Sequence, residues 1–183
     1  MNKMNTNEQF EYVISLCRNL FEKKLGDYGV SWRIMRAQSI TDQIFIKANR
    51  IRCIETKGAS LIDEGIKSEF IGIVNYGVIG LIQLELGYAN VVDISKKQAL
   101  EFYDKHITAT KELMYAKNHD YDEAWRSMRI SSFTDLILTK IHRTKEIESN
   151  DGKTLVSEGV NANYMDMINY ALFGLIKLEY EQE

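Results

Sequence analysis

The sequence predicts an all-α fold, an internally duplicated helical bundle with pseudo-twofold symmetry. Three observations carry that expectation. The 183-residue chain contains no proline, so no helix is broken or kinked by that route. Apolar residues recur at helical spacing in segment after segment. One stretch also occurs twice. The first copy begins Asp27-Tyr28-Gly29-Val30-Ser31-Trp32-Arg33-Ile34-Met35-Arg36, and the second Asp120-Tyr121-Asp122-Glu123-Ala124-Trp125-Arg126-Ser127-Met128-Arg129. Both continue through Ser-x-Thr-Asp (Ser39, Thr41, Asp42; Ser132, Thr134, Asp135) and a Lys and an Arg (Lys47, Arg50; Lys140, Arg143). Both end in Glu-Gly and Asn-Tyr (Glu64-Gly65, Asn75-Tyr76; Glu158-Gly159, Asn169-Tyr170). Such self-similarity marks a repeat of one structural unit. The units are assigned as residues 1–88 and 89–183.

The first helix opens on Thr6-Asn7-Glu8-Gln9, a capping-box pattern. Phe10, Val13, Ile14, Cys17, Leu20 and Phe21 then form one apolar stripe, and the helix ends near Gly26. Trp32 to Arg36 makes a short helical or turn segment. Ser39-Ile40-Thr41-Asp42 reads as a second capping box, followed by Ile44, Ala48, Ile51 and Ile54, with Gly58 as the C-terminal cap. The last helix of the unit starts after Ser60 and runs to Leu86. Gly72, Gly77 and Gly80 lie within it; glycine in a helix costs about 1 kcal/mol against alanine, so another helix or a ligand is expected close to its backbone. Gly87 to Ile94 links the halves. Ser95-Lys96-Lys97-Gln98 repeats the capping box, and the second unit follows the same plan: a helix to Asn118, the Asp-Tyr segment, a helix over 133–147, a loop at Asn150-Asp151-Gly152 and a helix over 155–180. Each half alone would leave a large apolar face in water. Packing the halves together covers it; the alternative is that each folds alone and the chain forms a homodimer.

Composition narrows the function. Hydrophobic residues make up 45% and charged residues 27%, which is globular. The net charge of -3 disfavours nucleic-acid binding through bulk charge. Cys17 and Cys53 stand in no motif and read as free thiols of a reducing compartment, and Met1 to Asn7 shows no signal-peptide pattern, so a cytoplasmic location is expected. The apolar run 70–86 is interrupted by Asn75, Gln83 and Glu85, which argues against a membrane span. His106, His119 and His142 have no metal spacing, and no phosphate-binding glycine loop is visible.

The repeated polar residues are the candidates for chemistry. Arg33, Arg36, Lys47 and Arg50, matched by Arg126, Arg129, Lys140 and Arg143, suit phosphate oxygens. They equally suit an ion-pair network with Asp27, Asp42 and Glu64. Asp42 and Asp135 read either as helix caps or as ligand contacts. Glu64 and Glu158 sit where a helix dipole favours a carboxylate, and as hard oxygen donors they could hold Mg²⁺. Asn75 and Asn169, with Tyr76 and Tyr170, fall inside an apolar helix, where an amide either fixes helix register or reads a ligand. Trp32 and Trp125, with Tyr28 and Tyr121, read as core packing or as a platform for a base.

The order Lys24-Leu25-Gly26-Asp27-Tyr28-Gly29, Asp42, Lys47, Arg50, Glu64 and Asn75-Tyr76 resembles the nucleotide modification associated domain 1 family of bacteria and phages. So does the second copy, with Lys117, Asp120-Tyr121, Asp135, Lys140, Arg143, Glu158 and Asn169-Tyr170-Ala171. The layout is also similar to the all-α nucleoside triphosphate pyrophosphohydrolases of the MazG and dimeric dUTPase type, which hold Mg²⁺ with carboxylates on bundle helices. Phage-type members carry aspartates four and eight positions after the glutamate. Here those places are Ser68 and Gly72, and Ala162 and Asp166, so only Asp166 is retained.

The resemblance implies a protein of nucleotide metabolism or modification that binds a small-molecule nucleotide. Hydrolysis would need Mg²⁺ on Glu64, or on Glu158 and Asp166, and no organic cofactor is indicated. The competing reading is a non-catalytic scaffold whose repeated charges are structural ion pairs. The two differ in space: bases converging on an open pocket favour a ligand, and bases facing carboxylates with no cleft favour a scaffold.

Overall fold

The computed structural model describes residues 4–58 and 65–181, and all regular elements among them are helices. These are α1 (Thr6–Tyr28), α2 (Ala37–Lys57), α3 (Ile66–Leu86), α4 (Lys96–Tyr121), α5 (Ile130–Ser149) and α6 (Val160–Tyr180). A short 3-10 turn precedes α2 (Ser31–Ile34) and another precedes α5 (Ala124–Ser127). α3 and α6 pack on each other at the centre. α2 flanks α3, α5 flanks α6, and α2 also meets α5. α1 and α4 each touch both central helices. Exchanging α1 with α4, α2 with α5 and α3 with α6 reproduces this set of packings, which is the pseudo-twofold bundle the duplication predicts.

The central crossing explains the glycines. A Cβ on Gly77 would stand 2.5 Å from Ile168 Cγ1, and one on Gly80 would stand 3.0 Å from the Tyr164 ring. At the equivalent place in α6, a Cβ on Gly174 would stand 2.9 Å from the Phe70 ring. Phe70 and Tyr164 are counterparts, so each half lays a ring on the other half's glycine. α3 is long and apolar enough to cross a membrane by length and composition, but 67% of that window is buried inside this bundle.

The repeated Thr-Asp belongs to the α2–α5 seam. The Thr41 hydroxyl donates to Glu148 at 2.7 Å, and Thr134 donates to Glu55 at 2.9 Å. Asp42 pairs with Lys145 at 2.8 Å, and Asp135 lies 3.9 Å from Arg52. Each contact has its mirror across the pseudo-dyad. Neither aspartate caps a helix. α2 starts at Ala37 after Arg36, and the Ser39 N–H already bonds the Arg36 carbonyl at 3.0 Å; α5 starts in the same way after Arg129.

Other boundaries also move. Asn5, not Thr6, caps α1, in a reciprocal pair with Glu8; Ser95 and Gln98 form the box expected at α4. α1 runs on to Tyr28, and Gly58 ends α2 in the left-handed conformation. α6 begins at Val160 and not at Leu155, because the preceding residues form a turn in which Thr154 donates to the Ser157 carbonyl at 2.7 Å. Glu158 therefore precedes the helix instead of sitting in its first turn. The expected start of the first unit's last helix, and Glu64 with it, lies outside the described residues.

Candidate functional site

A cavity of about 460 Å³ opens in the first half between α1, the 3-10 turn, α2 and α3. Its walls are mainly apolar and aromatic, with Phe21, Leu25, Trp32 and Ile79 among them. Tyr28 and Tyr76 also line it; burial and the nearby Tyr76 raise the Tyr28 pKa above its ordinary value. Its polar lining includes Lys24, Lys47 and Glu69. The Lys47 stem lies across Gly72, where a Cβ would stand 2.6 Å from Cδ. Lys47 Nζ is 3.6 Å from Glu69 and 5.7 Å from the Tyr76 ring centroid, and Arg50 also pairs with Glu69. Lys24 is exposed and makes no ion pair among the described residues. The Trp32 indole N–H is buried and has no hydrogen-bond partner among the described residues. The Trp125 indole N–H, its counterpart in the other half, is likewise buried without a partner among the described residues.

The second half places different side chains on the same frame. Asp166 stands where the first half has Gly72. Its two oxygens take Lys117 and Lys140, the counterparts of Lys24 and Lys47, each at 2.7 Å. Burial alone would raise the Asp166 pKa, but the two lysines outweigh it and hold the carboxyl below its usual range. Phe173 stands where the first half has Ile79 and stacks on Trp125, with centroids 4.6 Å apart and planes at 10°. Asn163 replaces Glu69 and donates to the Gly159 carbonyl, so Arg143 has no ion pair among the described residues. Arg143, Lys140, Glu158 and Asn163 border an open groove.

Several candidate residues are held by the protein itself. Arg33 is 2% exposed; it donates to Asp93 at 2.8 and 3.1 Å, to the Gly87 carbonyl at 2.7 Å and to Gln83. Arg126 donates to Glu123, Glu181, Thr6 and Gln9. Gln83 donates to the Arg33 carbonyl, and its counterpart Lys177 donates to the Arg126 carbonyl. Both arginines thus clamp a 3-10 turn to the end of a central helix. Asn75 donates to the Cys17 carbonyl at 3.0 Å and accepts from Tyr103 at 2.8 Å. Asn169 donates to the Thr110 carbonyl at 3.2 Å, but its oxygen has no partner among the described residues. The counterpart of Tyr103 is Phe10, which has no hydroxyl to offer. Arg36 and Arg129 are exposed at the starts of α2 and α5, and Arg36 lies 6.0 Å from the Tyr88 ring centroid. Asp27, Asp120 and Tyr121 are exposed. Tyr170 packs on Phe173 with centroids 6.5 Å apart.

Among the described residues, the donors do not fit Mg²⁺. Each Asp166 oxygen carries a lysine, Glu158 is exposed, and Gly72 supplies no ligand. Glu69 is occupied by Lys47 and Arg50, and no group of three candidate ligands occurs among the described residues.

The site residues that distinguish the halves are Glu69, Gly72 and Ile79 against Asn163, Asp166 and Phe173, and they are visible in an alignment of the halves only as mismatches; Lys24 and Lys117 recur.

The model of nucleotide modification associated domain 1 matches residues 24–84 and 117–178, one segment in each half. No curated protein and no solved structure matches the chain. Both copies of the repeat are covered, and the chain belongs to that family.

Proposed function

We propose that this tandem member of the nucleotide modification associated domain 1 family binds a nucleotide or nucleoside phosphate in its first-half cavity. The observation that carries the reading is the convergence, at one cavity, of an aromatic wall with two lysines. Trp32 and the neighbouring rings offer stacking surface, worth about 1–3 kcal/mol per base. Lys24 and Lys47 offer charge for phosphate oxygens, strengthened at Lys47 by partial burial. The acidic chain disfavours nucleic acid through bulk charge, while this cavity sets two lysines against one carboxylate. No hydrolytic step is assigned.

The scaffold reading keeps part of the repeat. Asp42, Asp135, Arg33 and Arg126 meet protein partners and act as frame. Lys24 and Lys47 face a cavity, which a pure scaffold does not need.

Isothermal titration with nucleosides and their mono-, di- and triphosphates tests the proposal. A Kd in the micromolar range is expected for at least one phosphorylated member, weakened at least about tenfold in Lys24→Ala, a loss of about 1.4 kcal/mol. Absence of binding to every member at millimolar concentration would remove the proposal.

A further inference from the structure

We infer that the second half carries the same site filled by its own side chains, Phe173 standing for a ring and Asp166 for an anion, and that the first-half ligand is accordingly a nucleoside monophosphate. The inference rests on the nucleotide reading above and narrows it.

Two of the positions that differ are ones a ligand would fill; Glu69 against Asn163 is a further difference at the cavity. In the second half, the ring stacked on Trp125 belongs to Phe173, and the anion between Lys117 and Lys140 belongs to Asp166. In the first half, Trp32 and Ile79 both line the cavity without a ring stacked between them, and Gly72 contributes no carboxylate beside Lys24 and Lys47. The tryptophan and both lysines are retained. What the first half lacks at these two positions is one aromatic ring and one anionic group, seven residues apart in a single helix. Two helical turns at 1.5 Å per residue separate them by about 10 Å along the axis.

Charge selects among phosphates. A phosphate monoester carries about -1.5 to -2 near neutral pH, which matches the positive charge that Lys24, Lys47 and Arg50 leave after Glu69 is neutralised. Glu69, held by Arg50 and Lys47 at the same cavity, works against a longer and more negative phosphate chain. A bare nucleoside would leave Lys24 unanswered.

Exchanging the occupants tests this. Gly72→Asp with Ile79→Phe copies the second-half filling into the first half. The new Cβ at Gly72 meets only the end of the Lys47 side chain, which can swing to the new carboxylate as Lys140 does to Asp166. Asp166→Gly with Phe173→Ile empties the second half. The probes are the nucleoside 5′-monophosphates and the matching nucleosides and triphosphates, titrated calorimetrically, with circular dichroism and melting to verify folding. The wild type is expected to bind one monophosphate per chain, at least tenfold tighter than the nucleoside and no weaker than the triphosphate. The filled variant, still folded, is expected to lose at least a hundredfold in affinity. The emptied variant is expected to bind two per chain. A folded filled variant that binds like the wild type, an emptied variant that folds yet stays at one, or tighter triphosphate binding overturns the inference while leaving nucleotide binding in place. A wild type that binds no nucleotide removes both.

Discussion

The halves of this protein agree where they meet each other and disagree where each faces its own tryptophan. Along the seam, Thr41 and Thr134, Glu55 and Glu148, and Phe70 and Tyr164 make mirrored contacts. Beside the tryptophans, Gly72 and Ile79 leave room that Asp166 and Phe173 fill. A duplicated bundle must keep its interface self-complementary, so changes there need a matching change in the other copy. A site wall has no such partner and can change in one copy alone. Identity between the copies therefore marks frame as readily as function, and difference marks the place where the copies took separate roles.

The comparison can be broken most strongly at the two clamps. Arg33 is buried and holds Gln83 and the Gly87 carbonyl, whereas Arg126 is 30% exposed. Arg33→Ala leaves these groups without a donor and is expected to cost about 2–3 kcal/mol in urea unfolding; Arg126→Ala is expected to cost about 1 kcal/mol. Equal losses would mean that the clamps are not differentiated.

The asparagines come next. Tyr103→Phe removes the hydroxyl that satisfies Asn75 and is expected to destabilise by about 1–2 kcal/mol. Phe10→Tyr supplies the missing hydroxyl to the other half, where the Asn169 oxygen is unpartnered, and is expected to be neutral or stabilising in the same assay. A loss from Phe10→Tyr as large as that from Tyr103→Phe would show that the halves are packed differently at this level.

Asp166 sharpens the comparison through pH. Its folded pKa is depressed, so the stability it contributes is present above the ordinary aspartate value and is lost as pH falls through the lower folded value. Asp166→Asn should flatten the acid limb of the stability curve below about pH 4. An unchanged acid limb would detach Asp166 from Lys117 and Lys140.

The smallest effect belongs to the seam carboxylates. Burial raises the pKa of both Glu55 and Glu148, outweighing the threonine hydroxyls that favour their ionised forms. A raised folded pKa contributes stability below the unfolded value that is lost as pH rises through the folded one. Glu55→Gln and Glu148→Gln should each raise the melting temperature slightly at neutral pH and not at pH 4. A drop at neutral pH would show that charge, not hydrogen bonding, secures the seam.

Much of the frame was legible in the sequence: the helical periodicity, the duplication, the close approach at Gly77 and Gly80, and the Ser95–Gln98 cap. Helix starts were less legible. Ser39-x-x-Asp42 has the composition of a cap, yet the chain turns helical at Ala37, as soon as it leaves the 3-10 turn. The site was legible only in part. Lys47 was visible as a repeated base, but nothing in its spacing separates it from Arg33, which clamps a turn. Lys24 lay inside the family pattern without a role of its own. Gly72 and Ile79 carry no polar signal, and they matter only through what stands opposite them in the other half.

The most direct measurement uses the chain's two tryptophans as separate reporters. Trp125→Phe leaves Trp32 as the sole indole, and Trp32→Phe leaves Trp125. On titration with a nucleoside monophosphate, fluorescence from Trp32 is predicted to change in a saturable way with the calorimetric Kd. Fluorescence from Trp125, already covered by Phe173, is predicted to stay constant, and the Trp32→Phe protein is predicted to bind more weakly. A saturable response from Trp125, with Trp32 silent, would place the ligand in the other half and contradict the account.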